Sequence, residues 1–217
     1  YLVKMEELSH SSYEVVQTQY QAGLSTTQDV MTAFNDWQNA SVSLNSLISS
    51  EESIYQNLCI LLGIDEAKTI TIGNIPSASL EKVAAIDLEA DIQTAIGNNA
   101  SIISARSSSS GSTTTGINKK ERTVDELEES LKITMQQLYT DVLQAKTAYD
   151  AAQAGYASAE ISWSNAQQKY IMGMLSKPEF LRTEIQYTEK KADFESADLN
   201  LFQALETYNW SVNGIVK

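Results

Sequence analysis

The sequence predicts an all-α fold: two long antiparallel coiled-coil helical hairpins joined by a short helical and irregular middle segment. Three observations predict it. A heptad seam runs unbroken from Leu131 to Tyr170, a set of turn residues recurs 150 positions apart, and proline and glycine occupy only two and nine of the 217 positions. Those two residues are the costliest inside a helix, so their scarcity suits long uninterrupted helices.

The seam comes first because it is the strongest periodic signal. Leu131, Met135, Leu138, Val142, Ala145, Tyr149, Ala152, Tyr156, Ala159, Trp163, Ala166 and Tyr170 alternate in steps of four and three, the spacing of a coiled-coil stripe. One row is large, reading Met135, Val142, Tyr149, Tyr156, Trp163, Tyr170. The other becomes alanine at 145, 152, 159 and 166. Small residues on one row let a partner helix approach while the large row fills the space beside it.

The helix expected after Ser176 carries two apolar rows. Ile185, Ala192 and Leu199 form one; Tyr187, Phe194, Leu201 and Tyr208 form the other. Rows two residues apart lie about 200° apart around a helix, so this helix is expected to meet neighbours on both sides.

The repeat links the two halves. Tyr20-Gln21-Ala22-Gly23 matches Tyr170-Ile171-Met172-Gly173, and at the same offset Thr26 meets Ser176, Asp29 meets Glu179, Trp37 meets Tyr187 and Leu44 meets Phe194. The hairpins end at Gly63-Ile64 and Gly214-Ile215. Internal duplication is the economical explanation. Gly23 and Gly173 close the incoming helices, where a left-handed residue without a Cβ costs least. Thr26 and Ser176 cap the outgoing ones, with Asp29 and Glu179 completing capping boxes; the shorter Asp side chain predicts the weaker box. Pro178 falls in a first turn, where it removes no helical hydrogen bond. Leu24, Met174 and Leu175 are apolar residues at the far ends of long hairpins. They either staple their own turns or form a docking surface for another protein.

The domain boundaries follow. The first hairpin occupies 1–64, with its tip near 20–26, and a linker with short helices occupies 65–106. A flexible Ser/Thr/Gly linker fills 107–118, and the second hairpin occupies 119–217, with its tip near 170–176. Within the middle segment, Thr69-Ile70-Thr71-Ile72 reads as a short extended piece. Helical spacing returns at Leu88, Ile92, Ala95 and Ile96, pauses at Gly97-Asn98-Asn99, and resumes through Ile102, Ile103 and Arg106. Ser107–Gly116 reads SSSSGSTTTG, a flexible-linker composition that fits a natural loop or an introduced join. Thr123-Val124-Asp125-Glu126 is a candidate capping box for the long helix that follows.

Charge and composition exclude several functions. With 28 acidic against 15 basic residues and a net charge of -13, the chain lacks the clustered Lys and Arg that nucleic acid or anionic lipid requires. Cys59 is the only cysteine, in the apolar run Leu58-Cys59-Ile60-Leu61-Leu62, and reads as a buried structural thiol. No apolar run reaches the ~18 residues of a membrane helix. The chain opens at Tyr1 inside a helical pattern, which predicts a processed or truncated product.

No catalytic, cofactor or metal site is expected. His10 is the only histidine and is predicted to face solvent on a polar helix face. Phosphate loops, metal-ligand clusters and nucleophile elbows are missing, and the carboxylates are spread along helix faces. The chain reads as a non-enzyme.

At the tips, Tyr20-Gln-Ala-Gly-Leu-Ser-Thr-Thr-Gln-Asp-Val and Tyr170-Ile-Met-Gly-Met-Leu-Ser-Lys-Pro-Glu-Phe-Leu resemble the tip motif of the TolC family of outer-membrane efflux channel proteins. Leu61-Leu62-Gly63, Asp87-Leu88-Glu89 with Ala95, and Asn98-Asn99 followed by Arg106 add to the likeness, which covers most of the chain. The resemblance implies a homotrimer whose protomers each give two hairpins to an α-helical barrel of the cell envelope. It also implies an adaptor (membrane fusion) protein of an efflux pump as partner, met by the tip residues Tyr20, Gly23, Leu24, Ser25, Thr26, Tyr170, Gly173, Met174, Leu175 and Ser176. Two departures stand out. The family places a membrane β-hairpin where this chain has Ser107–Gly116, and these ten residues cannot supply two alternating strands of roughly 9–11 residues each. The first incoming helix is also short, with 20 residues up to Tyr20. The alternative reading is a structural or scaffolding coiled-coil protein of the envelope that conducts nothing.

Overall fold

The computed structural model describes residues 1–64, 73, 75–109 and 113–215. Among them run seven helices and no strand: α1 (Leu2–Gln21), α2 (Thr27–Leu62), α3 (Leu80–Ala84), α4 (Leu88–Asn98), α5 (Ala100–Ser107), α6 (Thr114–Ile171) and α7 (Lys177–Val212). The expected extended piece at Thr69–Ile72 lies outside the described residues. Two compact units divide the chain. One comprises Tyr1–Asn74 with Gly155–Asp193, and the other Ile75–Ala154 with Phe194–Lys217.

In the first unit α1 and α2 pair antiparallel. Tyr13 faces Phe34, with ring centroids 5.6 Å apart, and His10 faces Trp37 at 4.7 Å. Three residues back along α1 therefore match three residues forward along α2. That register brings Leu2, the first residue of α1, level with Asn45 of α2. The α6 and α7 segments of this unit bury Ala166, Leu181 and Ile185. Lys4 on α1 bridges to Glu7 of its own helix and to Glu184 on α7, both at 3.2 Å. Cys59 is fully buried, as its apolar run predicted.

The second unit holds a continuous core. Leu131, Met135, Val142 and Tyr149 of α6 meet Ala197, Leu201, Leu205 and Tyr208 of α7, and Val83, Ile92, Ala95 and Ile102 of α3–α5 join them. All four α6 residues belong to the predicted heptad seam. Short helices are marginal alone, so α3, α4 and α5 owe their order to this packing. Polar ties lock it. Tyr208 donates its hydroxyl to Asp91 at 2.8 Å, Asn98 donates to the Val212 carbonyl at 3.0 Å, and the Ala78 amide donates to Asp198 at 3.0 Å.

Several local expectations change. Within α7 the Tyr187–Phe194–Leu201–Tyr208 row is the covered one; of the other row Ile185 is buried, while Ala192 and Leu199 are exposed. The second seam is thus closed only at its start. α4 continues through Gly97 and Asn98 and breaks at Asn99, whose side chain accepts the Ser101 and Ile102 amides and so caps α5. α6 begins at Thr114, inside the stretch read as linker, with the Thr113 hydroxyl accepting the Gly116 amide. Thr123 is therefore no cap: it lies within the helix, and its hydroxyl donates to the Lys119 carbonyl at 3.0 Å.

Candidate docking tips

Each hairpin turns through the same sequence of hydrogen bonds. In the first, the Gly23 amide donates to the Tyr20 carbonyl at 2.9 Å and the Leu24 amide reaches back to Gln19 at 2.8 Å. In the second, Gly173 donates to Tyr170 at 3.0 Å and Met174 to Lys169 at 2.8 Å. These nested pairs are Schellman closures, which satisfy the last carbonyls of a helix around one left-handed residue. Gly23 and Gly173 take that role with φ of 75° and 71°. Gly63 and Gly214 repeat the closure at the other ends of α2 and α7, with φ of 64° and 81°. All four glycines were legible from sequence, and the turn chemistry explains each.

The outgoing helices open on reciprocal caps. Asp29 donates its amide to the Thr26 hydroxyl oxygen at 3.2 Å, while its carboxylate accepts the Thr26 amide at 2.8 Å and the Thr26 and Ser25 hydroxyls. Glu179 repeats this with Ser176, at 3.4 Å and 3.0 Å. The Asp box was expected to be the weaker. The distances do not rank them that way: the two backbone bonds are shorter in the Asp box, the hydroxyl–carboxylate bond is shorter in the Glu box, at 2.6 Å against 2.7 Å, and Ser25 gives Asp29 a further donor. These bonds hold both carboxyls below their ordinary range. For Asp29 the Thr26 hydroxyl contributes most, then the Thr26 amide and Ser25; for Glu179 the Ser176 hydroxyl leads, followed by its amide and Arg182.

Behind each tip stands a stack of rings. Tyr170 stacks on Phe180 at 4.3 Å, Phe180 meets Trp163 at 4.8 Å, and Trp163 stacks on Tyr187 at 5.9 Å. In the first hairpin Tyr13, Phe34, Trp37 and His10 form the corresponding group. His10 is thus half-buried against Trp37 and does not simply face solvent; only the hairpin register, invisible in α1 alone, places that ring beside it. Tyr20 lacks a ring to stack on because Val30 stands where the second hairpin has Phe180, and its hydroxyl accepts from Thr27 at 3.4 Å.

Beyond the rings the tips present apolar side chains outward. Leu24 is 80% exposed and its repeat-mate Met174 72%. Ile171 and Met172 are also open, whereas Leu175 is half-buried. Of the three residues expected to staple their turns or to form a docking surface, Leu175 is the most covered. Of the remaining expected tip residues, Ser25 is half-buried, and Tyr20, Gly23, Thr26, Tyr170, Gly173 and Ser176 lie exposed along the two turns. No group of three or more His, Cys, Asp or Glu side chains suited to a metal occurs among the described residues, and no described helix is long and apolar enough to cross a membrane.

No family model matches the chain, and no curated protein does. Among solved structures it is similar to the Campylobacter jejuni CmeC outer membrane channel, at 14% identity and a TM-score of 0.50, covering 98% of this chain and 58% of that one. A membrane protein from Pseudomonas aeruginosa also matches, at 14% identity and a TM-score of 0.47, over 94% of this chain and 64% of that one. The chain thus spans about three-fifths of the length of each. The likeness is one of fold alone: the all-helical hairpin architecture is shared with that channel's structure.

Proposed function

We propose that this chain is a TolC-like efflux or export channel component: three copies form an α-helical conduit in the cell envelope that docks on an adaptor protein through its hairpin tips. The observation that carries the reading is the pair of tips themselves. Two turns 150 residues apart keep the same closure, the same cap and the same outward apolar residue, Leu24 or Met174. An exposed Leu or Met at a fully satisfied turn adds nothing to its own hairpin, and two equivalent ones suit a repeated docking contact. The fold likeness to an outer membrane channel supports the conduit, and the open Ala192–Leu199 row of α7 suits a wall contact with a neighbouring protomer. Cargo would pass through the assembled lumen without chemical change, so the chain needs no catalytic group or cofactor.

Multi-angle light scattering tests the assembly. The reading predicts a closed trimer whose population rises with concentration, and a monomer at the highest attainable concentration contradicts it.

A further inference from the structure

Aligned by the repeat, the two tips differ in one chemical respect. Gly173 is flanked by Met172 and Met174, whereas the matching positions around Gly23 are Ala22 and Leu24. Met172 and Met174 are 69% and 72% exposed, the most open of the five methionines. Met31 on α2 is 52% exposed, Met5 is half-buried and Met135 is enclosed in the core. Cys59, the only thiol, is fully buried. The two tip thioethers are therefore the sulfur atoms that a dissolved oxidant reaches most readily. The Met172 amide donates to the Gln168 carbonyl at 3.1 Å and the Met174 amide to the Lys169 carbonyl at 2.8 Å, both as part of the closure around Gly173. That closure is made of backbone groups, so a change at either sulfur alters the surface and leaves those bonds in place.

We propose that Met172 and Met174 form an oxidation-sensitive site on the second tip, where a peroxide converts the thioethers to sulfoxides and so weakens adaptor docking. The docking half of this rests on the channel reading above. In each conversion the sulfur lone pair attacks one oxygen of hydrogen peroxide. An S–O bond forms, the O–O bond breaks, and the other oxygen leaves as water with both hydrogens. Sulfur gives up two electrons and the peroxide takes them. A thioether is apolar and adapts its shape to a partner, whereas a sulfoxide is polar. Burying the sulfoxide oxygen against an apolar partner surface that offers no donor opposes docking. Ile171, 83% exposed beside the pair, extends the apolar surface that this oxygen would interrupt. The first tip presents Leu24 and has no sulfur between Tyr20 and Thr26, so it keeps its contact in the presence of peroxide.

Hydrogen peroxide added to the full chain, followed by peptide mass mapping, tests the site. Met172 and Met174 are expected to gain oxygen before Met31 and Met5, and Met135 last. Oxidation of Met31 as fast as the tip pair overturns the site. Surface plasmon resonance against the helical hairpin of a periplasmic adaptor tests the consequence. The oxidised chain, with unchanged helicity, is expected to bind at least about fivefold more weakly, the scale of one hot-spot contact. Met172→Leu with Met174→Leu should bind like the untreated chain both before and after peroxide. Binding that peroxide leaves unchanged overturns the proposal, as does an equal loss in the leucine variant. An untreated chain that binds no adaptor hairpin is a separate result. It removes the channel reading and the docking half of the proposal with it, while the mass map still decides the modification.

Discussion

Trp37 donates its indole N–H to Glu6 across the first hairpin at 2.6 Å, and the residues 150 positions on, Tyr187 and Tyr156, join hydroxyls at 3.2 Å. The duplicated hairpins keep a crosslink at one register while changing its chemistry from charge-assisted to neutral. Charge-assisted bonds are the stronger kind. Glu6→Ala is expected to cost about 1–2 kcal/mol because it leaves the half-buried indole donor without its acceptor, and Tyr156→Phe about 0.5–1. Urea denaturation of each variant measures this; equal midpoints for Glu6→Ala and wild type would refute it.

Gly214 and Gly23 share a left-handed backbone but differ in surroundings. A Cβ at Gly214 would lie 2.3 Å from the Asn98 carbonyl oxygen, whereas one at Gly23 meets nothing within 4 Å. Gly23→Ala should cost only the left-handed penalty, about 1–2 kcal/mol. Gly214→Ala adds displacement of the α4–α5 junction and is expected to cost at least twice as much. Thermal unfolding compares them, and equal losses would show that the Asn98 contact yields freely.

The tips were the most legible part of the sequence because their chemistry is local. A glycine, a hydroxyl and a carboxylate at fixed spacing dictate the turn whatever else the chain does. The α6 start was not legible. Thr114–Asn118 has poor intrinsic helix propensity, but extending an existing helix avoids the cost of nucleation, and Thr113 supplies the cap. The Thr123 box lost to that extension. Which α7 row is covered, and the ring beside His10, depend on pairing between helices, and spacing along one helix does not encode it.

The capping boxes make the tips sensitive to acid. Both carboxyls are held below their ordinary values in the folded chain, so the stability they contribute is fully present above those ordinary values. It is lost as pH falls from about 4 through the depressed folded values. Amide hydrogen exchange, compared at matched intrinsic rates, should show Thr26–Val30 and Ser176–Phe180 losing protection at pH 3 relative to pH 7. Thr26→Ala with Ser176→Ala should flatten that difference; an undiminished difference would place the acid-sensitive groups elsewhere.

Tyr208 responds at the opposite extreme. Burial pushes its phenol well above the ordinary value of 10, and the hydrogen bond and negative charge of Asp91 add to the rise. A raised pKa means stability that is present below pH 10 and lost as pH climbs toward the folded value. Spectrophotometric titration should find one of the ten tyrosines resisting ionisation until the second unit unfolds, and Tyr208→Phe should remove that step. The same substitution deletes the bond to Asp91 and is expected to cost about 1 kcal/mol. A titration in which all tyrosines ionise together near pH 10 would contradict the assignment.

The central claim is that the tips are docking surfaces, and it is tested most directly by measuring how the helical hairpin of a periplasmic adaptor binds the chain by surface plasmon resonance. Leu24→Asp with Met174→Asp alters two side chains 80% and 72% exposed, so helicity and unfolding midpoint should not change. The predicted result is adaptor binding that weakens at least about tenfold in the double variant, and further than in either single one. Binding indifferent to both substitutions, with the fold intact, would contradict the account.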